Sequence, residues 1–458
     1  MTVKIVVPTL GSFDGGSVST MLLRRHTRRG TGSGDRRAAW TRRASLQGRI
    51  HGVSPESTPL RVRRRHRVVL TLPPSKLPGV GTTIFTVMSR LAQECGAINL
   101  SQGFPDFQPP QRLVDLVAEK MRGGVNQYAP MAGWPALLEA IGDKVRDLYG
   151  CEVDGQACVT VTSGATEALF CAVHAVVRPG DEVIVLEPAY DSYEPAIELA
   201  GGRTIRVPLL RPGFRVDWER VRDAVNPRTR LVIVNSPHNP TGAVFAAADL
   251  DALADVLRDS DALVLSDEVY EHIVFDGRAH HGVLTRPELA ARSFVVSSFG
   301  KTYHCTGWKV GYCVAPAALT AEFRKVHQFV QFAVAAPLQA AFAGYLREEP
   351  GHARELGAFY QRKRDHFCRL LEATPLRTRP SDGTYFQLAD YSAVSGLPDV
   401  EFARWLTSEI GVAAIPVSVF STTPATERVV RFCFAKNDAT LDAAGERLAR
   451  LRVNGDRP

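Results

Sequence analysis

Short apolar runs recur through the middle of the chain, at 158–162, 182–186, 204–208, 231–235, 262–266, 294–298 and 310–314. They are rich in Val, Ile and Leu and too short for buried helices, so they read as strands covered on both faces. Longer stretches with helical or irregular patterning lie between them, for example Leu250–Asp259. This alternation predicts a three-layer α/β/α large domain around a mostly parallel, seven-stranded sheet. Past residue 345 the pattern changes. GTYFQLAD and VVRFCFAK read as strands of a smaller sheet, with Ala353–Ala373 and Ala439–Leu451 as covering helices. The expected organisation is therefore a large domain over 119–345 and a smaller α+β domain built from 73–118 and 346–458.

In an open α/β sheet the crevice at the carboxyl ends of the strands binds ligands, and several of these runs end in chemically capable residues. The run 293–298 leads into Ser298 and Lys301, with a second cation, Lys309, further on in SSFGKTYHCTGWKVGY. The run 262–266 delivers Asp267 and Tyr270, 231–235 leads to Asn239 in NSPHNPTG, and 182–186 to Tyr190. After 158–162 comes the turn Ser163-Gly164-Ala165-Thr166, then a helix from Glu167. A glycine-containing turn at a helix start offers N–H groups and a positive dipole end to an anion. An amine, a carboxylate, two donors, an aromatic face and an anion hole at one sheet edge meet the demands of pyridoxal 5'-phosphate. That cofactor needs an amine for its aldehyde and a carboxylate for its ring nitrogen.

Taken in order, SGATEA, EPAYDSY, NSPHNPTG, SDEVYEH, SSFGKTYHCTGWKVGY, GTYF and VRFCFAK resemble the class I/II, fold-type I pyridoxal-phosphate aminotransferases. More narrowly, KLPGVGTTIFTVMSRLAQECGAINLSQGFPDF with NQYAPMAGWPALLEAI resembles the bacterial methionine aminotransferases and their kynurenine and glutamine transaminase relatives. The resemblance runs from about Ser75 to Leu451.

It implies that Lys301 is the Schiff-base lysine and proton shuttle, Asp267 the partner of the ring nitrogen, Asn239 and Tyr270 donors to the phenolic oxygen, and Tyr190 the stacking ring. Gly164, Ala165, Thr166, Ser298 and Lys309 match phosphate binders, and Tyr128 a tyrosine reaching the phosphate from the neighbouring subunit of a homodimer. Arg431 matches the residue that grips the substrate α-carboxylate, Gly103 lies beside that carboxylate, and Phe85 aligns with a pocket aromatic. The implied activity is ping-pong transfer of an amino group from methionine, or another apolar or aromatic amino acid, to a 2-oxo acid. The alternative is a kynurenine or glutamine transaminase with cysteine-conjugate β-lyase activity.

Charge changes this picture only at the amino end. Residues 1–70 carry fourteen Arg and one Lys against three acids, hence +12 of the chain's +7, which leaves −5 for the rest. Arginines alternating with Gly, Ser and Thr bury too little surface to fold alone. Residues 1–72 are expected to be a disordered basic arm, a transit peptide, or an upstream stretch preceding a true start between Val53 and Leu72. A DNA-binding regulator that senses the cofactor is the rival from another class. It would need apolar helical periodicity, which this arm lacks, so no nucleic-acid partner is expected. No apolar run reaches the roughly 20 residues of a membrane span. The eight cysteines form no Cys-x-x-Cys pair, which suggests reduced thiols and a cytoplasmic setting. His280-His281 lacks further ligands at suitable spacing, so no metal is assigned, and His238 and His304 read as packing neighbours of the site.

Overall fold

The computed structural model describes residues 72–422 and 428–453, so the Arg-rich arm and its three explanations lie outside the described residues. Seven strands form the main sheet. Across it they run Val159–Thr162, Gly311–Val314, Ser293–Ser298, Leu263–Asp267, Thr229–Asn235, Glu182–Glu187 and Arg203–Pro208. Gly311–Val314 is antiparallel to both of its neighbours, and the other pairings are parallel. The mostly parallel sheet expected from the apolar runs is therefore present.

Period-two alternation explains why these strands read as unbroken apolar runs. Val232 and Val234 pack on one face with Leu137, Leu253 and Phe342, while Leu231 and Ile233 pack on the other with Ala172, Ile197 and Phe323. Both faces are thus roofed by helices.

A third apolar cluster holds Tyr360, Phe367, Phe386, Phe432 and Leu441 together with Met88 and Leu100. It surrounds a four-stranded antiparallel sheet in the order Ile415–Pro416, Val429–Cys433, Phe386–Asp390 and Arg377–Thr378. Ile98–Asn99 pairs in parallel with Val412–Ala413, which ties the early segment to the late one. The helix Gln111–Arg122 packs the other way, placing Leu113 and Leu116 in the main-sheet core.

The observed elements shift some expected ends by a few residues. The helices are Ala247–Leu257, His352–Glu372 and Asp438–Leu448. Cys158 closes a one-turn helix, Gly155–Cys158, capped by the Asp154 carboxylate, so the strand begins at Val159. The helix expected from Glu167 begins at Gly164.

Candidate active site

The helix Gly164–Val176 starts where the strand Val159–Thr162 ends, and its opening depends on two glycines. Gly164 has φ +74, and a Cβ there would stand 3.0 Å from Lys309 Nζ. Gly311 lets the neighbouring strand approach the helix start, because a Cβ on it would lie 2.9 Å from the Ala165 nitrogen. Glu167 Oε2 accepts the Ser163 N–H at 2.9 Å and fastens the turn. The first helical turn, with Ala165 and Thr166, then lines one end of a cavity of about 160 Å³, with Ser298 and Lys309 beside it. Helix N–H groups, a hydroxyl and an ammonium in one place form a cradle for an anion.

Asp267 lies at the end of its strand, buried, in the wall of the same cavity. Tyr193 donates its hydroxyl to Asp267 Oδ2 at 2.7 Å, and the Val269 N–H reaches Oδ1 at 3.3 Å. Burial lifts the Asp267 carboxyl to about 6, against the lowering effect of these bonds. An incoming cation is what such a carboxylate lacks. Asn235 holds the neighbouring turn: its Nδ2 donates to the Asp267 carbonyl at 2.7 Å, and its Oδ1 accepts the Asn239 N–H at 2.8 Å.

Lys301 sits in a one-turn helix, Phe299–Thr302, whose start is capped by Ser298 Oγ accepting the Gly300 N–H at 3.2 Å. Its amine donates to the Tyr385 hydroxyl at 2.9 Å, and that hydroxyl donates onward to the Gly103 carbonyl at 2.6 Å. Burial brings the Lys301 amine down to about 8. Tyr270 lines the cavity with its phenol pushed up by burial, so it remains a hydrogen-bond donor at neutral pH. Tyr190 lines it too and shares a side-chain hydrogen bond with Thr166.

Arg431 is 1% exposed and lies beyond Asn239. Its Nη1 donates to Asn239 Oδ1 at 2.6 Å and its Nη2 to the Ser101 carbonyl at 3.3 Å, while Nε meets no partner among the described residues. The guanidinium lies 3.9 Å from the Phe386 ring centre, with Phe420 at 5.2 Å and Phe85 at 5.5 Å. Burial lowers it to about 10. A buried cation with no carboxylate partner is costly unless a ligand supplies one.

The structure thus gathers Ala165, Thr166, Tyr190, Asn239, Asp267, Tyr270, Ser298, Lys301 and Lys309 around one cavity, with Gly164, Gly103, Arg431 and Phe85 adjoining. Tyr128 is not brought in; it is 83% exposed, its ring edge-on to Phe332 at 5.3 Å. His238 bonds Thr241 Oγ1 at 2.6 Å and His304 bonds the Tyr360 hydroxyl at 3.1 Å, as packing neighbours do. His280 pairs with Glu268. Sequence reasoning missed Tyr193, Asn235 and Tyr385. Asn235 and Tyr385 lie inside motifs already singled out, and Tyr193 closes EPAYDSY.

The aminotransferase class I and II profile matches residues 96–448. The chain belongs to that family. It is 55% identical over 380 residues to the methionine aminotransferase of Escherichia coli strain K12, covering 83% of this chain and 98% of that one. It is 34% identical to kynurenine–oxoglutarate transaminase 1 of Rattus norvegicus, over 82% of this chain and 97% of the relative. Its fold superposes with a TM-score of 0.82 on the crystal structure of an Escherichia coli protein whose reactivity identified a methionine aminotransferase function. That match is 54% identical and covers 83% of this chain and 100% of the other. A class I and II aminotransferase is a pyridoxal-phosphate enzyme acting on amino acids and 2-oxo acids, and the α/β fold built on the seven-stranded sheet is shared with the superposed structure.

Proposed function

We propose that this aminotransferase moves the amino group of methionine, and less readily of other apolar or aromatic amino acids, to a 2-oxo acid by a ping-pong mechanism. The observation that carries the reading is the placing together of two cations with no carboxylate partner among the described residues, Lys301 in the cavity wall and Arg431 behind Asn239. The substrate preference is supported by the 55% identity to the methionine aminotransferase. It is supported further by the aromatic rings of Phe85, Phe386 and Phe420 around Arg431, which suit an apolar side chain.

The residues present fit pyridoxal phosphate. The cradle of Gly164, Ala165, Thr166, Ser298 and Lys309 would take its phosphate, Asp267 its ring nitrogen, and Tyr190 its ring face. Asn239 accepts Arg431 at Oδ1, which leaves its Nδ2 hydrogens, with the Tyr270 hydroxyl, to donate to the phenolic oxygen. When bound, the cofactor supplies an aldehyde carbon and a ring that withdraws electrons from the substrate Cα.

Arg431 then grips the substrate α-carboxylate with paired N–H groups and fixes the position of Cα. Lys301 Nζ, as a neutral amine, would take the proton from Cα and, as an ammonium, deliver it to the carbon that the cofactor's aldehyde supplies. Its lowered proton affinity makes the neutral form accessible near neutral pH. Tyr385, bonded to both Lys301 and Gly103, holds the amine in place before the cofactor arrives. Tyr193 keeps the Asp267 carboxylate oriented.

The working assembly in this reading is a homodimer. Tyr128, Phe329 and Phe332 are exposed at 83%, 84% and 46%, an apolar group that a second copy would cover and from which Tyr128 would reach the neighbouring cradle. Eight free cysteines and the absence, among the described residues, of any helix long and apolar enough to cross a membrane support a cytoplasmic setting.

A single-turnover experiment tests the reading: the cofactor-loaded protein is mixed with methionine and no acceptor. The expected result is conversion of the cofactor to its amine form, with one equivalent of methionine's 2-oxo acid released. Conversion with kynurenine or glutamine but not methionine would select the kynurenine and glutamine transaminase alternative, and no conversion with any of them would overturn the reading.

A further inference from the structure

A second, larger cleft of about 520 Å³ lies behind the turn that carries Asn239, and it shares no lining residue with the active-site cavity. Its walls are the turn Arg211–Phe214, the residues Thr241–Ala243 just past Asn239, and edges of the late four-stranded sheet. Four arginines line it, Arg211, Arg377, Arg379 and Arg428, against two carboxylates, Asp382 and Asp390. Asp382 pairs with Arg278 at 3.3 Å, while Asp390 accepts the Ser392 N–H at 2.7 Å and keeps its negative charge in the cleft, opposite Arg377 in the strand register. Among the described residues no carboxylate stands within ion-pair distance of Arg377, Arg379 or Arg428.

Three such guanidinium groups on one concave surface repel one another and raise the local positive potential, which an anion relieves. The positions are partly fixed in advance. Gly213 has φ +97 and no side chain, so the Arg379 guanidinium packs against it, where a Cβ would stand 2.9 Å from Nη1. Ser381, in the floor of the cleft and 6% exposed, has a hydroxyl oxygen that meets no partner among the described residues. Phe214 and Leu388 supply apolar wall beside the charges.

We propose that this cleft binds a small organic anion, with a carboxylate or phosphate group held by Arg377, Arg379 and Arg428 and an apolar body laid against Phe214 and Leu388. Guanidinium forks match the oxygens of either group. The site is also coupled to the substrate site. The Gly383 N–H donates to the Gly242 carbonyl at 2.8 Å, and Leu388 stands opposite Arg431 in the strand register. An occupant therefore presses on the turn of Asn239 and on the strand of Arg431, and it is expected to change the KM for the amino acid.

Calorimetric titration of the protein, saturated with pyridoxal phosphate, tests the proposal with phenyl phosphate and phenylacetate as probes. The expected result is saturable binding of at least one probe, weakened on the order of tenfold by Arg377→Ala with Arg379→Ala. Asp390→Asn, which removes a negative charge from the cleft, is expected to tighten it, and Arg431→Lys to leave it unchanged. Phenyl phosphate alone would name a phosphate ligand and phenylacetate alone a carboxylate. No saturable heat with either probe, binding that survives in the double variant, or binding lost with Arg431→Lys would each overturn the site. Methionine turnover by the double variant reports that it is folded.

Discussion

Arg431 and Asn239 share a 2.6 Å hydrogen bond that joins the late antiparallel sheet to the turn after Thr229–Asn235. One side chain thus serves two ligands in the proposed function: Asn239 orients Arg431 through Oδ1 and faces the cofactor through Nδ2. Arg431→Lys keeps a charge but loses the fork and the fixed contact to Asn239. It is expected to raise the KM for methionine on the order of tenfold or more, with a smaller loss in kcat. Steady-state kinetics decide this, and an unchanged KM would remove Arg431 from substrate binding.

The Lys301 amine, held by burial at about 8, makes a prediction that does not need turnover. Only the neutral amine attacks an aldehyde, so cofactor capture by the cofactor-free protein is expected to quicken as pH rises and to level off above about 8. Stopped-flow absorbance after adding pyridoxal phosphate measures it. A rate flat between pH 6 and pH 9 would count against a titrating amine in that range. Lys301→Ala is expected to abolish both this capture and methionine turnover.

Asp267 sits in the opposite regime. Its ordinary value is 3.8 and burial raises it to about 6, so the folded chain holds this proton more tightly than the unfolded one. The contribution to stability is complete below 3.8 and is lost as pH rises through about 6. In the cofactor-free protein, Asp267→Asn is therefore expected to raise stability above pH 6, by up to about 3 kcal/mol for a shift of this size, and much less near pH 4. Thermal melts at the two pH values compare them. The same change should cost most of the transaminase activity, because the ring nitrogen loses its carboxylate.

How much of this was legible beforehand follows from where the information sits in the chain. The seven strands were readable because each is buried on both faces, so Leu231, Val232, Ile233 and Val234 are apolar without a break. The site was readable because its residues fall just past those strands. Tyr193 was not, since a tyrosine in a helix start carries no sign of the carboxylate it meets 74 residues later. Tyr385 belonged to the recognised GTYF motif, yet only the folding of that strand against the 101–107 segment brings its hydroxyl to Lys301. The cleft of Arg377, Arg379 and Arg428 was invisible for the same reason, because scattered arginines become a cluster only after the sheet edges meet the turns.

Tyr193→Phe separates orientation of Asp267 from its charge. The 2.7 Å bond to Asp267 Oδ2 is lost while the ring, packed edge-on against Tyr190 at 5.7 Å, remains. Removing a hydrogen bond to a charged group costs about 1.5–3 kcal/mol, so kcat/KM for methionine is expected to fall on the order of tenfold or more. The readout specific to this role is the pH profile, which should shift because Asp267 loses a partner that favours its ionised form. A fall in activity with an unmoved profile would make Tyr193 a packing residue only.

Tyr128 offers a test of the shared site that no single-chain property can imitate. In the dimer proposed above, each cradle takes Lys301 from one chain and Tyr128 from the other. Tyr128→Ala is then expected to weaken cofactor binding, and Lys301→Ala to abolish turnover, so neither variant works alone at limiting cofactor. When the two are unfolded together and refolded, half of the dimers are hybrids, and each hybrid contains one site with both residues intact. Activity at limiting cofactor should return to about a quarter of the unmodified level. A mixture no more active than the sum of its parts would place Tyr128 outside the neighbouring site, and sedimentation at the mass of one 50.1 kDa chain would remove the dimer itself.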